Sequence, residues 1–569
     1  MTGRSFLPNL VTGPGDAGDW PRSIMLLFAV TTAVRFAFLL GAPFTLSPDE
    51  AYYWDWSRHL DWGYYSKPPA VAWIMALSTW IFGDFTWAVR LPALLMNLGS
   101  MWFVALVSSR MFSEQAGFLA TLFMALAPAS AVAAFVMTID APLLFFWSMA
   151  LYCLWRAVEP SCPEGERKKG WWIAAGLATG AGLLAKQTMA AFPAGTFFFL
   201  LLVPDGRKIL KTVWPWLYLL LSFFSLAPVI WWNYRHDWIT LEHTAHHFAG
   251  TDFSLIDSAG TLFEFLGSQA GIYSPLLWLL LFMAGVMACR AVLKRLLPYG
   301  KGKYRVTAKG CRCRDLAEGK AVSCLGSFLS ADLPERLKRE WMAMLFLVST
   351  GFLMLIPVIC LSMRQHVNAN WPAPFYISLL VLAAGWCSGG FACFSELAPP
   401  PTRYVRISVG CAAFLTLCLY AGAVILPLTP VAGAKHDPLA RITGWDRLGK
   451  SVQEIYDSLP SPERVFIVTR RRQTASALAF YMPSHPVVYR WNGINRHIST
   501  QYEIWDAPVD RVGDDALIVL DMNKELVPDL AGCFEDVEFV KSIYLSPRKE
   551  DARYFNVYIG RNMRHWTKR

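Results

Sequence analysis

Five charged side chains stand at positions where charge is costly to hold. Asp49 and Glu50 are adjacent, just past an apolar run and beside Tyr52, Tyr53 and Trp54. Lys67 precedes Pro68-Pro69, Asp140 sits in Met137-Thr-Ile-Asp-Ala-Pro, and Lys186 follows Leu183-Leu-Ala. Each lies at the end of an apolar segment, where a carboxylate or ammonium needs a site, a partner or water. Together they have the composition of a site that handles a phosphate and a hydroxyl nucleophile. A lysine neutralises phosphate as a point charge, and a carboxylate can take the proton of a hydroxyl. The competing reading is a solvated interface loop, since Tyr and Trp favour both membrane surfaces.

Two further clusters are polar. Residues 231–248 offer Asn233, Arg235, His236, Asp237, Glu242, His243, His246 and His247. His243 and His247 are four apart and could share one helical face. With Glu242 they could hold a divalent ion, although histidines that hydrogen-bond a polar substrate account for the pattern more simply. Residues 364–376 offer His366, Asn368 and Asn370 for sugar hydroxyls, and Trp371 and Tyr376 for stacking.

The elements that position these groups follow from hydropathy. The chain has 569 residues, 55% hydrophobic and 17% charged, with a formal charge of +10. Its mean hydropathy is +0.34. That composition excludes disorder and an ordinary soluble enzyme. The basic excess reads as cytoplasmic loops of a membrane protein and not as nucleic-acid contact. Eleven apolar runs are expected to cross the bilayer: 24–40, 90–107, 117–136, 141–157, 171–185, 188–203, 212–230, 272–290, 341–360, 373–394 and 405–427. The segment 68–82, short and rich in Trp, reads as a helix lying at the interface. Lys and Arg concentrate in 156–169, 207–211 and 290–340, which fall on one side if the spans alternate. The positive-inside rule makes that side cytoplasmic, with the N-terminus. The loops 43–89, 231–271 and 361–372, and with them all the candidate residues, then face outward. An intrachain disulfide scaffold is not expected there, because the outer C-terminal region holds only Cys533.

Hydropathy changes after Leu428, so residues 1–428 read as a transmembrane catalytic domain and 429–569 as a small soluble α/β domain. Strands are expected at 465–469, 486–489, 516–520 and 556–559, with a helix at 475–481. No dinucleotide or Walker motif is present. The domain reads as a lid or docking module.

The run Asp49-Glu50-Ala51-Tyr52-Tyr53-Trp54 followed by Lys67-Pro68-Pro69 resembles the bacterial branch of the dolichyl-phosphate-mannose protein mannosyltransferase family. The likeness is strongest to relatives that transfer aminoarabinose or other sugars onto lipopolysaccharide. It extends through Thr138-Ile139-Asp140, Ala185-Lys186, Trp232-Asn233, His236-Asp237-Trp238, Asn370-Trp371-Pro372 and residues 437–449. One departure is Gln187, where a small residue is common. The resemblance implies a GT-C glycosyltransferase fold, a polyprenyl-phosphate sugar donor and inversion at the anomeric carbon. It implies Asp49 as base, Asp140 as the second acid, with Glu50 beside them, and Lys67 at the carrier phosphate, aided by Lys186 or Arg235. Tyr52, Tyr53, Asn233, His236, His366, Asn368 and Asn370 are expected to meet substrate. The acceptor is expected to be lipid A, a lipopolysaccharide core or a protein hydroxyl at the outer leaflet. The one cofactor considered is a divalent metal at His243 and His247, and the enzyme is expected to work as a monomer among membrane lipids. The rival readings are an oligosaccharide ligase and a lipid-linked sugar flippase, which differ in donor and in where charge sits along the spans.

Overall fold

The structure, a computed structural model of the full chain, describes residues 20–160, 166–246, 255–296, 335–391, 394–429, 431, 437–493, 498–522, 526–545 and 553–566. Among these, seven helices are long and apolar enough to cross a membrane: Pro21–Gly41, Thr86–Met111, Asp140–Val158, Trp214–Arg235, Pro275–Lys294, Arg336–Ser362 and Thr402–Leu428. The expected runs at 117–136, 188–203 and 373–394 become shorter apolar helices, Glu114–Leu126, Gln187–Leu202 and Ala373–Cys387. The run at 171–185 lies in Glu166–Ala185. Helix Leu255–Tyr273 was not expected. The protein is thus a multi-pass helical membrane protein.

The run 117–136 is not one helix, because Pro128 disfavours helical backbone in the residue before it. Ala127 is extended and a separate turn of helix follows, Pro128–Ala133. Breaking a helix inside the bundle frees carbonyls that must find donors. Arg35, 1% exposed on the first span, gives a hydrogen bond to the Ala125 carbonyl at 3.1 Å and also binds Asn97. Thr416 gives its hydroxyl to the Leu126 carbonyl at 2.7 Å. The break turns the chain so that Thr138 and Asp140 open the next long helix.

The first loop folds around helix Pro48–Ser57. Ser47 caps it: its hydroxyl accepts from the Glu50 amide, the Glu50 carboxylate accepts from the Ser47 amide, and Pro48 fills the first turn. Nine of its ten residues are buried, and Asp49 is the exception. Ala70–Phe82 is a separate short helix. Its Trp80 is 83% exposed, as suits an interfacial element.

The C-terminal sheet has five strands: β1 (Val465–Thr469), β2 (Val488–Arg490), β3 (Asp515–Asp521), β4 (Phe534–Tyr544) and β5 (Tyr554–Met563). Their order is β2-β1-β3-β5-β4. β1 pairs in parallel with β2 and β3, while β5 is antiparallel to β3 and β4. β1 is buried along its whole length, as a strand covered on both faces must be. The crossover helix Arg472–Tyr481 links β1 to β2. One of the two sheet faces shares a hydrophobic core with the first loop. Tyr52, Trp54, Trp56 and Val71 pack in the same cluster as Trp445, Ile467, Leu478 and Val519. β4 and helix Trp445–Asp457 were not expected from the sequence.

Candidate active site

Asp49 leaves its own helix for the start of the crossover helix. Its Oδ1 lies 2.9 Å from Nη1 of Arg472, the first residue of that helix. The Asp49 side chain is 42% exposed, and its Oδ2 has no hydrogen-bond donor among the described residues. The Arg472 guanidinium also lies over the Tyr52 ring, 4.7 Å from its centroid. Burial would lower the Arg472 pKa, but Asp49 and the two tyrosines outweigh it and hold the guanidinium charged.

Asp140 opens helix Asp140–Val158 and is held from two sides. Lys186 Nζ is 2.7 Å from its Oδ1, and Asn370 Nδ2 donates to its Oδ2 at 2.6 Å. Lys67 feels both of these acids as well as Lys186. Burial and the Lys186 charge push its ammonium down from the usual lysine range, while Asp140 and Asp49 oppose the shift from beyond ion-pair distance. Lys67 has no ion-pair partner among the described residues. Burial, and then Asp49, push the Tyr53 hydroxyl far up, with a further push from Asp140, so its hydroxyl lies within electrostatic reach of both acids. Asp49, Tyr53, Lys67, Asp140, Lys186, Asn370 and Arg472 therefore form one cluster drawn from five separate parts of the chain.

An apolar cavity of about 390 Å³ begins at Asp140 and Asn370 and runs between helices, past Val136, Leu144, Ile272, Tyr273 and Leu380. Arg156 closes the opposite end of the Asp140 helix with Glu159, which also binds Arg110. At ~1.5 Å per residue the cluster and this basic end stand roughly 28 Å apart.

The other expected site residues are placed elsewhere. Glu50 points away from Asp49, since neighbours on a helix differ by about 100°. It is 0% exposed and is gripped by Arg90 at 2.9 and 3.1 Å, by the Met137 amide and by the Ser47 amide. Its acceptor positions are filled, so it ties the first loop to the third and does not share the cavity. Tyr52 is buried and its hydroxyl accepts from the Gln501 amide at 2.6 Å. His236 stacks on Trp232 at 3.9 Å, and Asn233 donates to the Val229 carbonyl. Trp232 in turn donates to Asp61 at 2.6 Å. It lies so close to Gly63 that a Cβ there would meet the ring at 2.9 Å. Trp232, backed by His236, braces the turn that leads to Lys67, while Asn233 is bonded within its own helix and its buried Oδ1 accepts no hydrogen bond among the described residues. Arg235 is exposed over the Trp231 ring, His366 pairs with Glu264 at 3.1 Å, and Asn368 is exposed. His243 packs on Tyr65, 4.7 Å between rings. His247 lies outside the described residues, and among those described no metal-holding group of side chains is found.

Sequence reasoning missed Arg472 and Arg90. The Arg470-Arg471-Arg472 run directly after a strand was the available signal for the former.

The arrangement of membrane helices and the small C-terminal sheet define a multi-pass membrane protein with the GT-C fold. ArnT from Cupriavidus metallidurans superposes with a TM-score of 0.59 at 17% identity, covering 95% of this chain and 98% of that one. Its structure bound to undecaprenyl phosphate gives the same score at 16% identity. The dolichyl-phosphate-mannose-protein mannosyltransferase family profile matches residues 66–232. The lipid A galacturonosyltransferase RgtD of Rhizobium johnstonii is 27% identical over 266 residues, 46% of this chain and 54% of that protein. An undecaprenyl phosphate-α-4-amino-4-deoxy-L-arabinose arabinosyl transferase of Edwardsiella ictaluri is 29% identical over 177 residues, 28% of this chain and 32% of that protein. The matches thus span about half or less of these curated relatives. The family profile thus covers under a third of the chain, while the likeness to ArnT extends over nearly all of it as a likeness of fold.

Proposed function

We propose that the protein is an inverting glycosyltransferase that moves one sugar from a polyprenyl phosphate, with undecaprenyl phosphate the expected carrier, to a hydroxyl of lipid A or a lipopolysaccharide core. The observation that carries this reading is Lys67, a buried ammonium with no ion-pair partner among the described residues, within electrostatic reach of Asp49 and of Asp140, which lines an apolar cavity. A phosphate would supply the missing anion, and the cavity would take the isoprenoid tail.

In this reading the acceptor oxygen forms a bond to the anomeric carbon as the bond from that carbon to the carrier phosphate breaks. Asp49 Oδ2 takes the acceptor proton, while Arg472 fixes the other oxygen. Lys67, with Lys186 nearby, stabilises the charge that grows on the leaving phosphate. Asp140, held by Lys186 and Asn370, orients the acceptor or the sugar. Glu50 positions the loop through Arg90. The cluster faces the periplasm and the basic end of the bundle the cytoplasm, in keeping with the basic segments at 156–169, 207–211 and 290–340. Residues 429–569 form the outer module that supplies Arg472.

A protein hydroxyl is the second acceptor class, favoured by the mannosyltransferase profile over residues 66–232. The test is transfer by purified protein from undecaprenyl-phosphate-linked pentose, hexose or hexuronic acid to lipid A, core oligosaccharide or an envelope protein, read by mass spectrometry. Transfer to none of these acceptors from any of the donors would refute the reading.

A further inference from the structure

A second pocket, of about 320 Å³, lies in the C-terminal module and shares no lining residue with the Asp49–Asp140 cluster. That is near the small end of ligand sites, which run about 300–1,000 Å³. Its walls are aromatic. Trp491 meets Trp566 edge-on at 4.9 Å, and Tyr502 meets Trp505 at 5.3 Å. Trp491 is 3% exposed, and its indole Nε1 has no acceptor among the described residues.

The polar part of the pocket is already ordered. Arg490 pairs with Glu503 and also donates to Ser499 and Asn492. Glu503 accepts from the Ser499 and Thr500 amides at 3.1 and 2.7 Å. The guanidinium is therefore neutralised and has little left for an incoming phosphate. Asp506 is exposed and makes no ion pair among the described residues. With Arg490 and Glu503 paired to each other, Asp506 is the lining charge left without an ion pair among the described residues. Flat aromatic faces beside fixed polar groups and a spare carboxylate suit a sugar ring that is neutral or carries an ammonium.

The pocket is tied to the catalytic loop. Tyr502, one of its walls, donates its hydroxyl to Asp55 at 2.7 Å in the Asp49 helix. The preceding residue, Gln501, accepts from the Tyr65 amide at 2.7 Å, two residues before Lys67. Trp505 packs on His59 at 4.6 Å.

We propose that this pocket, walled by Trp491, Tyr502, Trp505 and Trp566, binds a neutral or amino-bearing sugar of the acceptor and presents that glycan to the site; its link to an acceptor rests on the glycosyltransferase reading. The test uses the full chain in detergent micelles and saturation-transfer NMR. The probes are glucosamine disaccharide, its N-acetylated form and glucose 6-phosphate. Signal is expected on the first two and not on the phosphate. Trp505→Ala and Asp506→Asn should each cut the signal about fivefold or more, the second without disturbing packing, and Lys67→Ala should keep it. No signal from either disaccharide in the unaltered protein would overturn the proposal. So would equal signal in both pocket variants, or loss in Lys67→Ala, which would put the sugar in the catalytic cavity. Donor turnover is measured on the same sample. Absent turnover with pocket binding intact would defeat the glycosyltransferase reading while sustaining the sugar site.

Discussion

Arg472 Nη1 lies 2.9 Å from Asp49 Oδ1, across 423 residues of sequence. The bond joins the crossover helix of the C-terminal sheet to the loop between the first membrane helices, so the C-terminal module contributes a charged group to the Asp49–Asp140 cluster.

Asp49→Asn should lower turnover about 10²-fold, the usual scale for loss of acid–base help. Arg472→Ala should cost less, because the carboxylate remains but loses its anchor. If the two residues act as one unit, the double variant will resemble Asp49→Asn alone. Steady-state transfer by the four proteins reads this, and fully multiplying effects would separate the residues.

Lys67→Ala should raise the donor KM about tenfold or more, with Lys67→Arg retaining part of the affinity. Burial and Lys186 lower the Lys67 pKa, and the protonated form is the one that holds a phosphate. Donor affinity is therefore complete at lower pH and lost as pH rises through this lowered value. The alkaline limb of kcat/KM for donor should fall below the ordinary lysine range and disappear in Lys67→Arg, whose charge persists. An unchanged limb in Lys67→Arg would assign it to another group.

Glu50→Gln should act on folding and not on chemistry. It leaves Arg90 buried without its anion, a loss of about 3–5 kcal/mol. Denaturant unfolding should show that loss, while turnover per folded molecule should stay well above that of Asp49→Asn. Turnover as low as in Asp49→Asn, with stability intact, would return Glu50 to the chemistry.

These contrasts mark what sequence could deliver. Lys67, Asp140 and Lys186 were legible because charged groups at the ends of apolar runs have few innocent explanations. Asp49 and Glu50 could not be told apart, since adjacency says nothing about which one a helix turns inward. Arg472 was missed because the Arg470-Arg471-Arg472 run does not say which of the three meets a partner, which is set by docking of the module on the first loop. Helix Leu255–Tyr273 was missed because Asp257, Ser258, Glu264 and Gln269 interrupt its apolar run. β4 was missed because its residues are mostly not buried and several are charged, which hides a strand pattern.

Gly271 lines the apolar cavity, and a Cβ there would meet nothing within 4 Å. Gly271→Phe should fill that space without a clash at the backbone. It should raise the KM of a long-chain polyprenyl donor several-fold and leave a short-chain analogue nearly unaffected. Equal effects on both donors would place the tail elsewhere.

The most direct check on the whole account is an experimental structure of the protein with undecaprenyl phosphate bound. The account predicts the phosphate within ion-pair distance of Lys67, next to the Asp140–Lys186 pair, with the tail in the cavity past Val136 and Ile272. A phosphate bound at Arg235, or anywhere out of reach of Lys67, would contradict it.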